Sequence, residues 1–189
     1  KMALRLMYIT NDKKVAEIAE KHGVDWIFLD LEILGKKERQ GHLDTVISDH
    51  SIEDVRRIKL SLKKAKLLVR INPIYKGSEA EIRRVIKDGA DIIMLPFFTC
   101  VDEVALFLDY VDGDVETCLL FETPQAVEKA DSILALKSID YIHIGLNDLH
   151  LAYGMDFMFE PLADGVVERL CKKAEKRQIP FGFGGIARL

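Results

Sequence analysis

Cysteine is scarce and badly spaced for bonding: Cys100, Cys118 and Cys171 are odd in number, far apart, and form no CxxC or Cys/His pattern. This excludes a disulfide-stapled scaffold and a zinc site, and leaves three small apolar residues of a reducing compartment. No apolar run is long enough to span a bilayer, the one ending at Leu31 included, and no signal peptide opens the chain. Positive charge is short too, with 27 Lys plus Arg against 31 Asp plus Glu, a net charge of −4, and the basic residues are scattered. Nucleic acid and anionic membrane are therefore not expected as partners. Five prolines and 12 glycines in 189 residues rule out a collagenous or low-complexity chain. What is present is 49% hydrophobic and 31% charged, the composition of a folded globular protein, expected in the cytoplasm. Lys1 precedes Met2, so the first residue reads as a tag remnant or an internal start.

Apolar runs of strand length recur: LRLMYIT from Leu4, DWIFLDL from Asp25, KLLVRI from Lys66, DIIMLP from Asp91, ETCLLFE from Glu116, YIHIG from Tyr141 and PFGFGG from Pro180. Continuous hydrophobicity without alternation marks strands covered on both faces, hence a parallel sheet. Between them Val15, Ile18 and Ala19, then Ile52, Val55, Ile58 and Leu62, then Ile82, Val85 and Ile86 fall at helical spacing. Ser51 with Asp54 resembles a capping box, and Gly23 and Gly89 stand where helices exit through a left-handed residue. KHGVDWIFLD, KDGADIIMLP and LKSIDYIHIG form an internal repeat in which Asp25, Asp91 and Asp140 open strands. That is the end opposite the chemistry in βα proteins, so these aspartates read as structural.

The pattern predicts an α/β protein of the (β/α)8 TIM-barrel class, a single domain over 1–189, rather than a doubly wound sheet, because no strand is followed by a dinucleotide-type glycine turn. Seven strands are present, whereas a barrel takes eight and about 250 residues. The eighth strand and last helix are expected in about 50 to 80 further residues, with a homo-oligomer as the assembled form.

In such a barrel function sits at the C-terminal ends of strands. There the sequence places Thr10 and Asn11, Asp30 and Glu32, Arg70 and Asn72, Pro96, Glu122 and Thr123, Asn147, Asp148 and His150, then Gly184, Gly185 and Arg188. Glu122 and Asp148, without a thiol or imidazole at ligand spacing, favour a hard divalent ion, Mg2+ or Mn2+; the alternative is that both cap loops. Gly145 permits a tight turn before Asp148, and Asn147 can brace it. Arg70 ends a buried strand and must face a carboxylate, either of a substrate or of Glu32 or Glu122. Glu32 and Asn147 are candidate substrate-binding residues.

GVDWIFLDLE, LLVRINP, GADIIMLPFFTCVDEV, LLFETPQAVEKADSIL, SIDYIHIGLNDLHLAYG and IPFGFGGIARL together resemble, in order and spacing, the HpcH/HpaI aldolase and citrate lyase beta-subunit family of the phosphoenolpyruvate/pyruvate-barrel superfamily. The resemblance covers almost the whole chain. It implies a divalent-metal (class II) carbon–carbon lyase that cleaves or forms 4-hydroxy-2-oxo acids through a pyruvate enolate, or a citrate lyase-like enzyme acting on acyl-CoA thioesters. On it, Glu122 and Asp148 match the two metal carboxylates and Arg70 the arginine that stabilises the enolate oxygen.

Departures accompany the match. The family's pyruvate aldolases carry Gly-Glu-His after the second strand and a Gln two residues before the metal Glu; this chain has Asp30-Leu31-Glu32 and Leu120 there. The DLE resembles the citrate lyase-like branch, but Ile33 follows where that branch has Asp. The missing histidine motivates a second class of reading, a non-catalytic barrel descended from the family. Residues 35–51 are long for a βα loop and read as a substrate loop, from which His50 or His42 could serve as base; a water on the metal is the alternative. His143 reads as an interior histidine, His22 as a helix-end contact, and His150 as a group behind the metal loop.

Overall fold

The computed structural model describes residues 4–34 and 49–184. Two compact units divide it, 1–94 and 95–189.

The first unit runs β1 (Met7–Ile9), α1 (Lys13–Lys21), β2 (Trp26–Asp30), α2 (Ile52–Lys59), β3 (Lys66–Arg70), α3 (Ser78–Lys87) and all but the last residue of β4 (Ile92–Leu95). The strands lie parallel in chain order, with Asp30 in register with Arg70 and Arg70 with Met94. Leu67, Leu68 and Val69, and all of β4, are buried without alternation, because helices need both faces of a parallel sheet. β2 alternates over Trp26–Phe28, and β1 departs furthest: three residues of a seven-residue run are strand, and Tyr8 and Ile9 are about half exposed at 49% and 45%.

Local chemistry sets the helix limits. Asp12 caps α1 by accepting from the amides of Lys14 (2.7 Å) and Val15 (3.0 Å). The Ser51/Asp54 capping box opens α2 as the sequence predicts, and Gly23 (φ +91°) and Gly89 (φ +106°) hold the left-handed exits. The face of α1 differs from expectation: Ala16 is buried and Ile18 is 59% exposed. The cause is Glu20, whose Oε1 accepts the amides of Lys63, Lys64 and Ala65 at 2.9, 2.6 and 2.7 Å. Residues 16 and 20 share a helix face, so pinning Glu20 inward turns 18 outward.

The second unit contains α4 (Val101–Val111), β5 (Glu116–Phe121), α5 (Pro124–Glu128), α6 (Ala130–Ile133), β6 (Tyr141–Gly145), α7 (Leu146–Ala152), α8 (Glu160–Ala163), α9 (Val166–Lys176) and β7 (Phe181–Gly184). Strands β5, β6 and β7 are parallel in that order. Phe98 and Phe121 meet edge to face, 5.1 Å between ring centres, in a core shared with Phe107, Leu119 and Ile144.

All seven expected strands are therefore present, and each unit repeats the parallel βα arrangement of a TIM-barrel-type α/β fold. The three strand-opening aspartates behave alike. Asp25 accepts the Leu6 amide (2.8 Å), Asp91 the Leu67 amide (2.8 Å) and Asp140 the Thr117 amide (2.9 Å), each tying its strand to the preceding one. The three cysteines are free thiols, and burial pushes the Cys118 thiol well up. Among the described residues no helix is long and apolar enough to cross a membrane.

Candidate functional site

In the first unit the carboxyl ends of β2 and β3 build one charge cluster. Register places Asp30 beside Arg70, and Asp30 grips the guanidinium with two teeth: Nε to Oδ1 at 2.9 Å and Nη2 to Oδ2 at 2.7 Å. Glu32 adds a second carboxylate, 3.5 Å from Nε. Both carboxylates are buried, at 1% and 2% exposure, and the guanidinium lies over the Phe28 ring at 5.3 Å. A fixed planar cation with two buried anions on one edge is pre-oriented rather than searching. The sequence expected Glu32 or Glu122 as the protein partner of Arg70; Asp30 is the principal one, and Glu32 the lesser.

His50 precedes α2, and its Nδ1 accepts the backbone amide of Asp30 at 2.9 Å. An acceptor at Nδ1 puts the proton of the neutral ring on Nε2. That bond fixes the ring orientation of the residue that the sequence offers as a candidate base. His42 and the stretch 35–48, like Gly185 and Arg188, lie outside the described residues.

In the second unit Glu122 directly follows β5 and is buried at 2% exposure. Its Oε1 accepts the amide of Phe97 at 3.0 Å. Phe97 takes φ +50°, a left-handed conformation that a bulky aromatic adopts at a cost of about 1–2 kcal/mol and that aims its amide at the carboxylate. The hydroxyl of Thr123 ties the same loop by donating to the carbonyl of Phe98 at 2.8 Å. Opposite, Gly145 ends β6, and a Cβ built there would stand 2.9 Å from both the Cβ and Oε2 of Glu122. Only glycine lets the Glu122 side chain lie this close to β6. Asp148 then falls in the first turn of α7, which starts at once after Gly145.

Two expectations change in detail here. Asn147 sits inside α7 rather than bracing a loop, because the helix begins one residue after the strand ends. His150 is buried on the same helix, with Nδ1 3.3 Å from the Leu146 carbonyl, a contact with its own helix backbone. His143 is half-buried on β6 with its imidazole over Gly182 and Gly184, as an interior histidine.

The donor set can be tested for a divalent ion. Two hard carboxylates, one packed against Gly145, suit magnesium or manganese rather than a soft metal. Among the described residues no group of three or more His, Cys, Asp or Glu side chains could by itself hold a metal, so an ion there would keep waters or substrate oxygens. Sequence reasoning had singled out Glu122 and Asp148; it missed Phe97, for which a Pro-Phe-Phe run carries no signal, and the clamp of Asp30 on Arg70, which needs strand register.

A family model described as HpcH/HpaI aldolase/citrate lyase matches residues 5–157. Among solved structures, an HpcH/HpaI aldolase from Desulfitobacterium hafniense DCB-2 is 18% identical with a TM-score of 0.74, covering 95% of this chain and 77% of that one. The citrate synthase SbnG is 15% identical with a TM-score of 0.75, over 96% and 77% of the two chains. A citrate lyase beta subunit from M. tuberculosis, complexed with oxaloacetate and magnesium, is 16% identical with a TM-score of 0.68, over 94% and 76%. At these identities the structural likeness speaks for the fold. No curated protein matches in sequence.

Proposed function

The chain belongs to the HpcH/HpaI aldolase/citrate lyase family and is of the lyase type, and from that premise we propose that it is a divalent-metal-dependent carbon–carbon lyase that cleaves or forms 4-hydroxy-2-oxo acids. The observation that carries the reading is the close fit of Glu122 against Gly145: the buried carboxylate lies where a Cβ at residue 145 would stand, one turn before Asp148. Glu122 and Asp148 would hold the ion. Magnesium or manganese, when bound, supplies a Lewis acid for the 2-oxo group of the substrate.

The chain's own residues do the rest. Breaking the bond beta to a 2-oxo group drives negative charge onto an oxygen, and Arg70 answers that charge with a guanidinium that Asp30 has already oriented, so little reorganisation accompanies the reaction. The Asp30 amide fixes the ring of His50 beside this cluster. Glu32 and Asn147 are assigned to substrate contacts. The partners that follow are a small 2-oxo acid and further copies of the same chain.

The deciding experiment is release of pyruvate from a panel of 4-hydroxy-2-oxo acids, with and without Mg2+ or Mn2+. Glu122→Gln and Asp148→Asn should each weaken metal binding by about tenfold or more, since each removes one of only two anionic ligands. Unchanged binding in both would remove the site. A citrate lyase-like acyl-CoA substrate is the second reading, favoured by Asp30-Leu31-Glu32, where both carboxylates meet Arg70. Acetyl-CoA-dependent turnover without pyruvate release would select it. Metal binding without turnover on either panel would point to a non-catalytic descendant.

A further inference from the structure

Two residues beyond Arg70, the side chain of Asn72 makes bonds in two directions. Its Oδ1 accepts the amides of Ile33 (2.9 Å) and Leu34 (3.0 Å), and its Nδ2 donates to Oε1 of Glu81 (3.0 Å), which also accepts the Asn72 backbone amide (3.2 Å). Glu81 belongs to α3 and is buried at 8% exposure, and its Oε2 has no hydrogen-bond partner among the described residues. The Tyr75 phenol has its pKa raised by burial, then by the Glu81 charge and by its side-chain approach to Glu81 as a hydrogen-bond partner too poorly aligned to satisfy Oε2; its ring packs where a Cβ on Gly77 would stand at 2.6 Å.

A half-satisfied buried carboxylate is costly, and an apolar side chain could fill the place without that cost. What the carboxylate does that an apolar residue cannot is set the direction of Asn72. A carboxylate only accepts and two backbone amides only donate, so the side-chain amide between them has one allowed orientation. The constraint runs from Glu81 through Asn72 to the backbone of Ile33 and Leu34. Those amides come directly after Glu32, whose own amide is held by Asp30 Oδ1 at 3.1 Å and whose carboxylate faces Arg70.

We propose that Asn72, oriented by Glu81, is a positioning residue that fixes the chain after Glu32 and so sets where the Glu32 carboxylate stands against Arg70. The catalytic part of this inference rests on the lyase reading; the bracket itself does not.

The test uses the full chain as wild type, Asn72→Asp, Glu81→Gln and the two combined, with amide hydrogen exchange at Ile33 and Leu34 read beside kcat, KM and Mn2+ affinity. Asn72→Asp keeps the acceptors but sets a second carboxylate against Glu81. It should speed exchange at both amides and lower kcat, each by about tenfold or more, as loss of a buried charge-assisted bond implies. Combining it with Glu81→Gln restores one donor between the two side chains and should bring both readouts back to within about threefold, a coupling that independent sites would not show. Glu81→Gln alone, the milder change, should speed exchange less. Mn2+ affinity should hold in all four.

Exchange unaltered by both single substitutions overturns the bracket. Exchange altered while kcat and KM stay fixed overturns positioning, and a combined variant no better than Asn72→Asp overturns the role of Glu81. A wild type without lyase turnover overturns the reaction reading and the catalytic half of this inference, while the exchange data still decide the bracket.

Discussion

Arg70 and Gly145 show how single residues carry the two halves of the proposed chemistry. Lysine in place of Arg70 keeps the charge but loses the planar fork that grips both oxygens of Asp30. Arg70→Lys should therefore cost stability, about 1–3 kcal/mol in urea unfolding, for one charged hydrogen bond lost. Turnover should fall by about 100-fold or more, which is about 2.7 kcal/mol of transition-state stabilisation. A turnover loss below tenfold would make Arg70 structural. At Gly145 the backbone sits at φ −86°, so alanine is not strained there and acts only through its Cβ. Gly145→Ala should weaken Mn2+ binding by about tenfold, read by calorimetry, with about 1–3 kcal/mol of overpacking cost. Wild-type affinity in that variant would mean that the packing of Glu122 against Gly145 does not set an ion site. Both residues stood out in the sequence, but neither contact did. The partner of Arg70 depends on which residue of β2 lies level with it, and register is fixed by tertiary pairing that a local pattern does not contain.

At the start of α2, Asp54 collects bonds that a helix cap alone would not need: the Ser51 amide, the Asn11 side chain and Arg57. Burial pushes its carboxyl up, but the Arg57 bond and those from Ser51 and Asn11 outweigh that and hold it below the ordinary aspartate value. A group depressed in the folded state contributes stability above its unfolded pKa and loses it as pH falls through the folded one. Urea unfolding of the wild type should weaken as pH drops through and below the ordinary carboxylate range, and Asp54→Asn should flatten that slope. An unchanged slope would show the carboxylate to be irrelevant to acid stability. The capping box was legible because Ser and Asp at that spacing have a local cause. The inward face of α1 was not, since Val15, Ile18 and Ala19 suggest a stripe that the distant amides of 63–65 override by drawing in Glu20. Asn147 was misplaced for a similar reason: nothing in IGLND tells that the helix begins without a loop.

Over the whole molecule, β3, β4 and β5 were readable because burial on two faces leaves an unbroken apolar record, while β1, half exposed, kept only three residues of its run. The strand-opening aspartates were readable as structural from their end of the strands alone. Replacing Asp25 or Asp140 by alanine should lower unfolding free energy by about 1 kcal/mol, one amide bond each, and leave Mn2+ affinity untouched. Asp91→Ala should cost more, because Lys59, 2.6 Å from its carboxylate, loses a partner as well. Loss of metal binding in any of the three would contradict their placement away from the chemistry.

These aspartates open β2, β4 and β6 and reach back to residues at or just before β1, β3 and β5. The bond thus has a period of two strands, although strand and helix alternate with a period of one. In terms of ancestry, the smallest stretch of gene that carries one whole copy of the bond is a pair of strands with their helices. Duplication in such pairs hands every copy its carboxylate together with the amide it serves.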